Sequence, residues 1–293
     1  MEPTTRMTFD SSTGMSVERI VVPVTLDHRY DRGVSAAAAL AERFDLPMRL
    51  VCVDLGTGDS VELERGASLE ATRHAVVAAH PALEVDDLVL TGAGDPAVAL
   101  AGQLEDGDLV VLATEAMEGP AGSFAQHLVG SSSSPVLMFG PAADLGDLDG
   151  DVMVAVDGSV LAERSIPAAF CFASALGSNI TLVEVVSSVV SDHVRRLKER
   201  GERVSENAYI RDLAERLDDR RVSWKVVHHD DPALALSEAA READAAMIVM
   251  STHGREGFVA QVFNSIALET VRYSRCPVLV RRPVSEPLIA IAG

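Results

Sequence analysis

The sequence predicts an α/β protein: two tandem open, twisted sheets of five parallel strands, with helices on both faces, packed as a pseudo-dimer. Three observations carry this. Short, unbroken apolar runs alternate with helical segments along the whole chain, the pattern of parallel strands covered on both faces. The pattern of the first half is repeated in the second. The 293 residues are too many for one such sheet and comfortable for two.

The elements follow in order. The halves open on Arg19-Ile20-Val21-Val22-Pro23-Val24-Thr25 and on Asp151-Val152-Met153-Val154-Ala155-Val156-Asp157. Alanine-rich helices are expected next, over Val34 to Phe44 and Ala162 to Leu176. Second strands follow at Met48 to Val53 and Ile180 to Val185. A charged helical segment comes after each, short near Val61 to Ala79 and long from Ser191 to Arg220, where alternating charges read as a solvated face. Third strands are expected at Asp87 to Leu90 and Val222 to Val227. The clearest echo lies just beyond, where Asp95-Pro96-Ala97 matches Asp231-Pro232-Ala233. An Asp before a Pro is a helix N-cap followed by the residue best suited to the first helical position. Fourth strands are Asp108 to Ala113 and Ala246 to Ser251; fifth strands are Pro135 to Met138 and Pro277 to Val280. The run Ser131 to Ser134 reads as a link into the first of these. The division expected is a tail over 1–16, a first domain over 17–140, an acidic linker over 141–150, a second domain over 151–282 and a tail over 283–293.

Composition narrows the function classes. The apolar fraction of 47% supports large cores, and with aromatics at 4% those cores must be aliphatic. The formal charge of −19 repels nucleic acid and anionic lipid, so neither is an expected partner. No apolar run approaches a membrane span, and the start of the chain has no apolar signal core, so a cytoplasmic protein is expected. Cys52, Cys171 and Cys276 are far apart, without CxxC or metal-ligand spacing, and read as reduced core residues. His228-His229 point to opposite faces of a strand and do not form a metal pair; no metal site is expected.

Two strand ends in the second half carry polar groups in a pattern that suits a ligand. The first strand ends in Asp157-Gly158-Ser159, and the fourth in Ser251-Thr252-His253-Gly254. Asn264-Ser265 and the closing strand Cys276-Pro277-Val278-Leu279-Val280 follow. Open parallel sheets bind ligands outside the carboxyl ends of their strands. There an Asp accepts hydrogen bonds from a ribose or a base, a Gly turns the chain without a Cβ clash, and a Ser starts the next helix. Asp-Gly-Ser alone is equally a turn and a cap.

Taken together and in this order, these segments resemble the universal stress protein family, whose domains have a Rossmann-like, adenine-nucleotide α-hydrolase-like fold. The resemblance implies a cytosolic stress-response module. In its ATP-binding members an Asp ends the first strand, and a Gly-x2-Gly-x9-Gly-Ser/Thr loop follows the fourth. Glycines admit phosphates to backbone N–H groups, and a helix N-terminus faces them. Carried over, the site is Asp157, Gly158 and Ser159 with Ser251, Gly254, Asn264 and Ser265. Ser251 and Asn264 stand where the family has glycine, so the match is full at the nucleoside and partial at the phosphates. The implied ligand is ATP, in the second domain only, with Mg²⁺ as its companion. His253 and Arg255 read first as loop residues, and Gly257 as a loop glycine.

The first half departs from that pattern. Thr25 stands at the position of Asp157 and Ala116 at that of Gly254. Only five residues separate Ala116 from Gly122-Ser123. This half is expected not to bind ATP and to be structural. Universal stress domains pair through their fifth strands, a contact that two halves of one chain, or two chains in a homodimer, would satisfy. Three functions are weighed: a regulatory module binding an adenine nucleotide, a nucleotide-independent interaction module of the same fold, and an adenylating or ATP-hydrolysing enzyme. The last lacks Gly-x4-Gly-Lys-Ser/Thr, His-x-Gly-His and Ser-Gly-Gly-x-Asp-Ser, and no Lys lies near either loop. No catalytic residues are therefore assigned, and hydrolysis is expected to be at most slow and incidental.

Overall fold

The computed structural model describes residues 15–26, 31–53, 59–91, 94–113, 120–143, 148–191, 207–252 and 258–282, the side chains of 59–63, 120–123 and 258–265 excepted. In the first half the elements are β1 (Arg19–Val24), α1 (Asp31–Phe44), β2 (Met48–Cys52), α2 (Asp59–Ala79), β3 (Val85–Val89), α3 (Pro96–Ala101), β4 (Asp108–Ala113), α4 (Pro120–Ser131) and β5 (Val136–Phe139). In the second they are β6 (Val152–Val156), α5 (Val160–Glu163), α6 (Ile166–Leu176), β7 (Ile180–Val186), α7 (Ala208–Leu217), β8 (Val222–His228), α8 (Pro232–Glu242), β9 (Met247–Ser251), α9 (Phe258–Tyr273) and β10 (Val278–Arg281).

All ten strands join one sheet in the order β3-β2-β1-β4-β5-β10-β9-β6-β7-β8. Each half is a parallel sheet of the same internal order, and among the described residues the only antiparallel pair is β5 with β10. There Val136, Leu137 and Met138 face Val280, Leu279 and Val278, so Leu137 meets its own counterpart, Leu279. A pseudo-twofold axis passes through that pair. Both edges of this seam, which would otherwise be open strands, are covered by each other.

Two apolar layers cover the sheet, and each draws on both halves. One holds α1, α2, α6 and α7 against Ile20, Val22, Leu50, Val154, Leu182 and their neighbours; the other holds α3, α4, α8 and α9 against Val21, Val110, Met153, Ile248 and theirs. Contacts beyond the seam repeat the twofold relation. The residue after β5, Gly140, lies so near α9 that a Cβ there would come within 1.8 Å of the Val271 carbonyl oxygen. The residue after β10, Arg282, donates Nη1 to the Gly130 carbonyl of α4 at 2.9 Å.

The two Asp-Pro sites cap helices as expected. Asp95 accepts from the Ala97 and Val98 N–H groups at the start of α3, and Asp231 from Leu234 N–H at the start of α8. Asp95 also meets Nδ1 of His127 from α4. Some elements differ from expectation. The helix expected over Ala162 to Leu176 is broken into α5 and α6, because Pro167 has no N–H to continue the first and sits at the start of the second. β3 begins at Val85 and carries Asp86 and Asp87, which its place at the sheet edge leaves in solvent. α4 runs on through Ser131. Of the long charged helix expected over Ser191 to Arg220, the part over Ala208–Leu217 is helical, and 192–206 lies outside the described residues. No helix among the described residues is long and apolar enough to cross a membrane. Cys52 and Cys171 are buried and Cys276 is half-buried, all as free thiols.

Candidate functional site

The carboxyl ends of β6, β7 and β9 gather the polar groups of the second half. Parallel pairing sets Val154 beside Val249 and Val156 beside Glu184. Continuing the first register brings Asp157 beside Thr252, just past the ends of both strands. Asp157 is exposed, and its Oδ1 accepts from Ser159 N–H at 2.9 Å. Gly158 makes the turn at φ +84°, a conformation that residues with a Cβ rarely adopt. Ser159 then caps α5, its Oγ accepting from Ala162 N–H at 3.1 Å. One carboxylate oxygen thus shapes the turn, and Oδ2 accepts nothing among the described residues.

Around this turn lie polar atoms that the fold buries without a partner. Oε2 of Glu184, Oγ of Ser251 and Oγ1 of Thr252 are each shielded from water and meet no hydrogen-bond partner; the Tyr209 hydroxyl is shielded too, beside the Glu163 carboxylate. Such atoms are rare in folded proteins and mark places where a ligand or water completes the structure. Burial pushes the Glu184 carboxyl above the usual carboxylate range, and the nearby Asp157 charge pushes it the same way. Burial also holds the Tyr209 phenol well above its ordinary value, with the carboxylates of Glu163 and Asp157 adding to the effect. Tyr209 therefore stays a donor. Glu163 is balanced by Arg216 of α7 at 3.1 Å. The arrangement is acidic and rich in acceptors. It suits hydroxyl or amino donors, such as those of a ribose or a base, and disfavours a phosphate lying directly over Asp157 and Glu184.

Of the residues singled out in the sequence, Asp157, Gly158, Ser159 and Ser251 come together at this edge. Gly254, with His253, Arg255 and Gly257, lies outside the described residues, as does Ala116 in the first half. Asn264 and Ser265 fall within α9, beyond its first turn, and their side chains lie outside the described residues. His229 closes the loop before α8, its Nδ1 accepting from Asp231 N–H at 2.9 Å. Among the described residues no three His, Cys, Asp or Glu side chains are grouped to hold a metal ion. Sequence reasoning missed Glu184, Thr252 and Tyr209. Glu184 had a signal, as the only charge in the β-run Ile-Thr-Leu-Val-Glu-Val-Val. Tyr209 had none, since its burial depends on how α7 docks.

An open parallel sheet with acceptors at its strand ends is a Rossmann-like architecture. Residues 150–282 match the model of the universal stress protein family. A universal stress protein from Archaeoglobus fulgidus DSM 4304 has a similar structure, with a TM-score of 0.67 at 17% identity, over 90% of this chain and 98% of that one. A functionally unknown protein from Pseudomonas aeruginosa PAO1 is similar at a TM-score of 0.57 and 15% identity, over 94% and 95% of the two chains. The cytoplasmic domain of a prokaryotic cation chloride cotransporter shares the fold at a TM-score of 0.51 and 11% identity, over 94% of this chain and all of that one (100%). These likenesses show the fold. No curated protein matches the chain.

Proposed function

We propose that the chain is a cytoplasmic, non-catalytic stress-response module of two universal stress domains, over 17–140 and 151–282, whose second domain binds an adenine nucleotide. The observation that carries this reading is the acceptor set at the carboxyl ends of β6, β7 and β9. Asp157 Oδ2 takes a ribose hydroxyl, and the orphaned atoms of Glu184 and Ser251 complete the nucleoside's hydrogen bonds. Ser251 and Thr252 lead into the segment holding Gly254, where the phosphates and their Mg²⁺ would lie. The family match over 150–282 supports the same placement. Sealing of the seam by β5 and β10 within one chain supports the pseudo-dimer, and leaves a homodimer to form through other surfaces.

One placement favours the second reading, a nucleotide-independent interaction module. Asn264 and Ser265 lie beyond the first turn of α9, where backbone N–H groups are committed to the helix and are not free for phosphate. The deciding measurement is the nucleotide content of the natively purified protein, released by denaturation and separated by ion exchange. The proposal expects an adenine nucleotide stoichiometric with the chain, and its loss in Asp157→Ala. A protein that emerges empty and does not bind added ATP with Mg²⁺ would establish the interaction module instead.

A further inference from the structure

At the matching strand ends of the first half, the two acids of the second half have neutral counterparts. Superposing the strand pairs β1–β2 and β6–β7 by their registers sets Thr25 at the place of Asp157 and Cys52 at the place of Glu184. Both acids are gone. On the same face of the sheet α2 carries a buried cation: Arg65 is only 2% exposed. Neither Nε nor Nη2 of its guanidinium, both shielded from water, meets a hydrogen-bond partner. The same half shows what a satisfied arginine looks like. Arg19 grips the buried Asp108 with two bonds, Nε to Oδ1 at 2.8 Å and Nη2 to Oδ2 at 2.9 Å.

The position of Arg65 follows from the run of α2. Its last turn lies at the amino edge of the sheet, where His80 meets Glu42 at the end of α1 with a separation of 2.8 Å. Midway, Arg73 reaches Asp87 in β3 at 3.1 Å. Arg65 lies two turns nearer the helix start, or about 12 Å along the axis. That distance equals three to four strand residues at roughly 3.3 Å each, which takes Arg65 past Asp87 to the level of Leu90 and the ends of β2 and β3. Helical side chains lean toward the N-terminus, which carries the guanidinium further toward the strand ends. Leu69, one turn on and 1% exposed, seals the underside.

A guanidinium cannot escape burial by losing its proton, as a carboxyl or an ammonium can. A buried, unpaired one is far more costly than an ordinary lost hydrogen bond, and it is relieved by an acceptor with two oxygens in one plane. We propose that the first half is a second ligand site, in which Arg65 holds a small oxyanion, the carboxylate or phosphate group of a metabolite, over the carboxyl ends of β1, β2 and β3. Loss of the acids at positions 25 and 52 is what allows an anion there, and the acidic edge of the second half would repel the same ligand. The inference does not rest on the nucleotide reading of the second half.

The test is thermal unfolding of the full chain, stripped of small molecules, with inorganic phosphate or with succinate titrated in at constant ionic strength held by chloride. The expected result is a saturable rise in melting temperature with one of the two, on the order of 2–4 °C at ten times its dissociation constant. The responsive anion identifies the group. Arg65→Met should abolish the rise, and Arg65→Lys, which keeps the charge and loses the fork, should weaken it at least tenfold in midpoint concentration. No rise with either anion, or a rise that survives Arg65→Met, overturns the proposal. So does pairing of Arg65 with a carboxylate of the chain itself, seen as an unresponsive wild type whose stability falls when that single acid is replaced. Should Arg65→Met not fold, the wild-type titration and the lysine variant decide the matter.

Discussion

The two halves of the chain share a strand order, a crossover plan and the same Asp-Pro helix starts, yet the acids at the strand ends of the second half have neutral counterparts in the first. In the second half Asp157 and Glu163 lie by Tyr209, and Glu184 by Asp157; in the first, Thr25 and Cys52 hold the matching strand-end positions, and α2 brings in Arg65, buried with two guanidinium nitrogens unpartnered. What the halves keep in common is what packs. What they do not share lies where the sheet ends and side chains no longer contribute to a core. A doubled fold of this kind holds two sites on one rigid sheet, and each is free to take its own ligand.

The largest expected effect tests whether the halves are equal partners. Leu137 and Leu279 face each other on the pseudo-twofold axis, both fully buried. Leu137→Ala and Leu279→Ala should each cost about 2–5 kcal/mol, through lost burial and the cavity left behind. Near-symmetry predicts that the two costs agree within about 1 kcal/mol, measured by urea unfolding. A single cooperative transition in both variants would show that the ten strands unfold as one unit; two transitions would show that the halves separate first.

A smaller effect probes where symmetry fails. Gly140 follows β5 and Arg282 follows β10, but where the arginine reaches the Gly130 carbonyl with its side chain, the glycine leaves only 1.8 Å between any Cβ and the Val271 carbonyl oxygen. Gly140→Ala must push α9 away from the seam and should cost about 1–3 kcal/mol. Gly130, whose Cβ would meet nothing within 4 Å, is the control. Gly130→Ala in α4 should be neutral or raise stability by up to about 1 kcal/mol. Equal losses at both positions in thermal unfolding would mean that the close approach at Gly140 is not what sets its identity.

The parts of this structure legible in the sequence are those written in local pattern. Unbroken apolar strands such as Leu109 to Ala113 and Met247 to Met250 gave the parallel order, and Asp95-Pro96 and Asp231-Pro232 gave two helix starts. The pairing of Val136 to Met138 with Val278 to Val280 followed from the family's habit and the chain's own repeat. Pro167 signalled a helix break that the alanine-rich composition around it concealed. At the strand ends, Asp157 was legible because strand, carboxylate, glycine and hydroxyl are contiguous. Tyr209 and Arg65 were not. Each is a polar residue in a charged helix, and in sequence nothing separates the one turned inward from its solvated neighbours. Their burial comes from helix docking, in which apolar residues one turn on, Leu69 and Leu213, meet strands far off in sequence.

The smallest effect concerns the acid pair itself, and its sign can be derived. In the unfolded chain Glu184 titrates as an ordinary carboxyl. In the folded protein burial and the Asp157 charge raise its pKa. Between those two values the folded state binds more protons than the unfolded one, so stability falls as pH rises through that window. Above it, ionised Glu184 remains a penalty. Below it, both states are protonated and the penalty is absent. Glu184→Gln keeps the shape and removes the charge. In nucleotide-free protein it should therefore be more stable than wild type at neutral pH, with the advantage shrinking to nothing as pH falls into the ordinary carboxylate range. The first half offers the control, since the matching position is the buried thiol of Cys52 and Cys52→Ser should show no such dependence between pH 4 and 7. Urea midpoints over that range give the answer. An advantage of Glu184→Gln that does not change with pH would mean the raised pKa is absent, and that the second half's edge differs from the first in shape more than in charge.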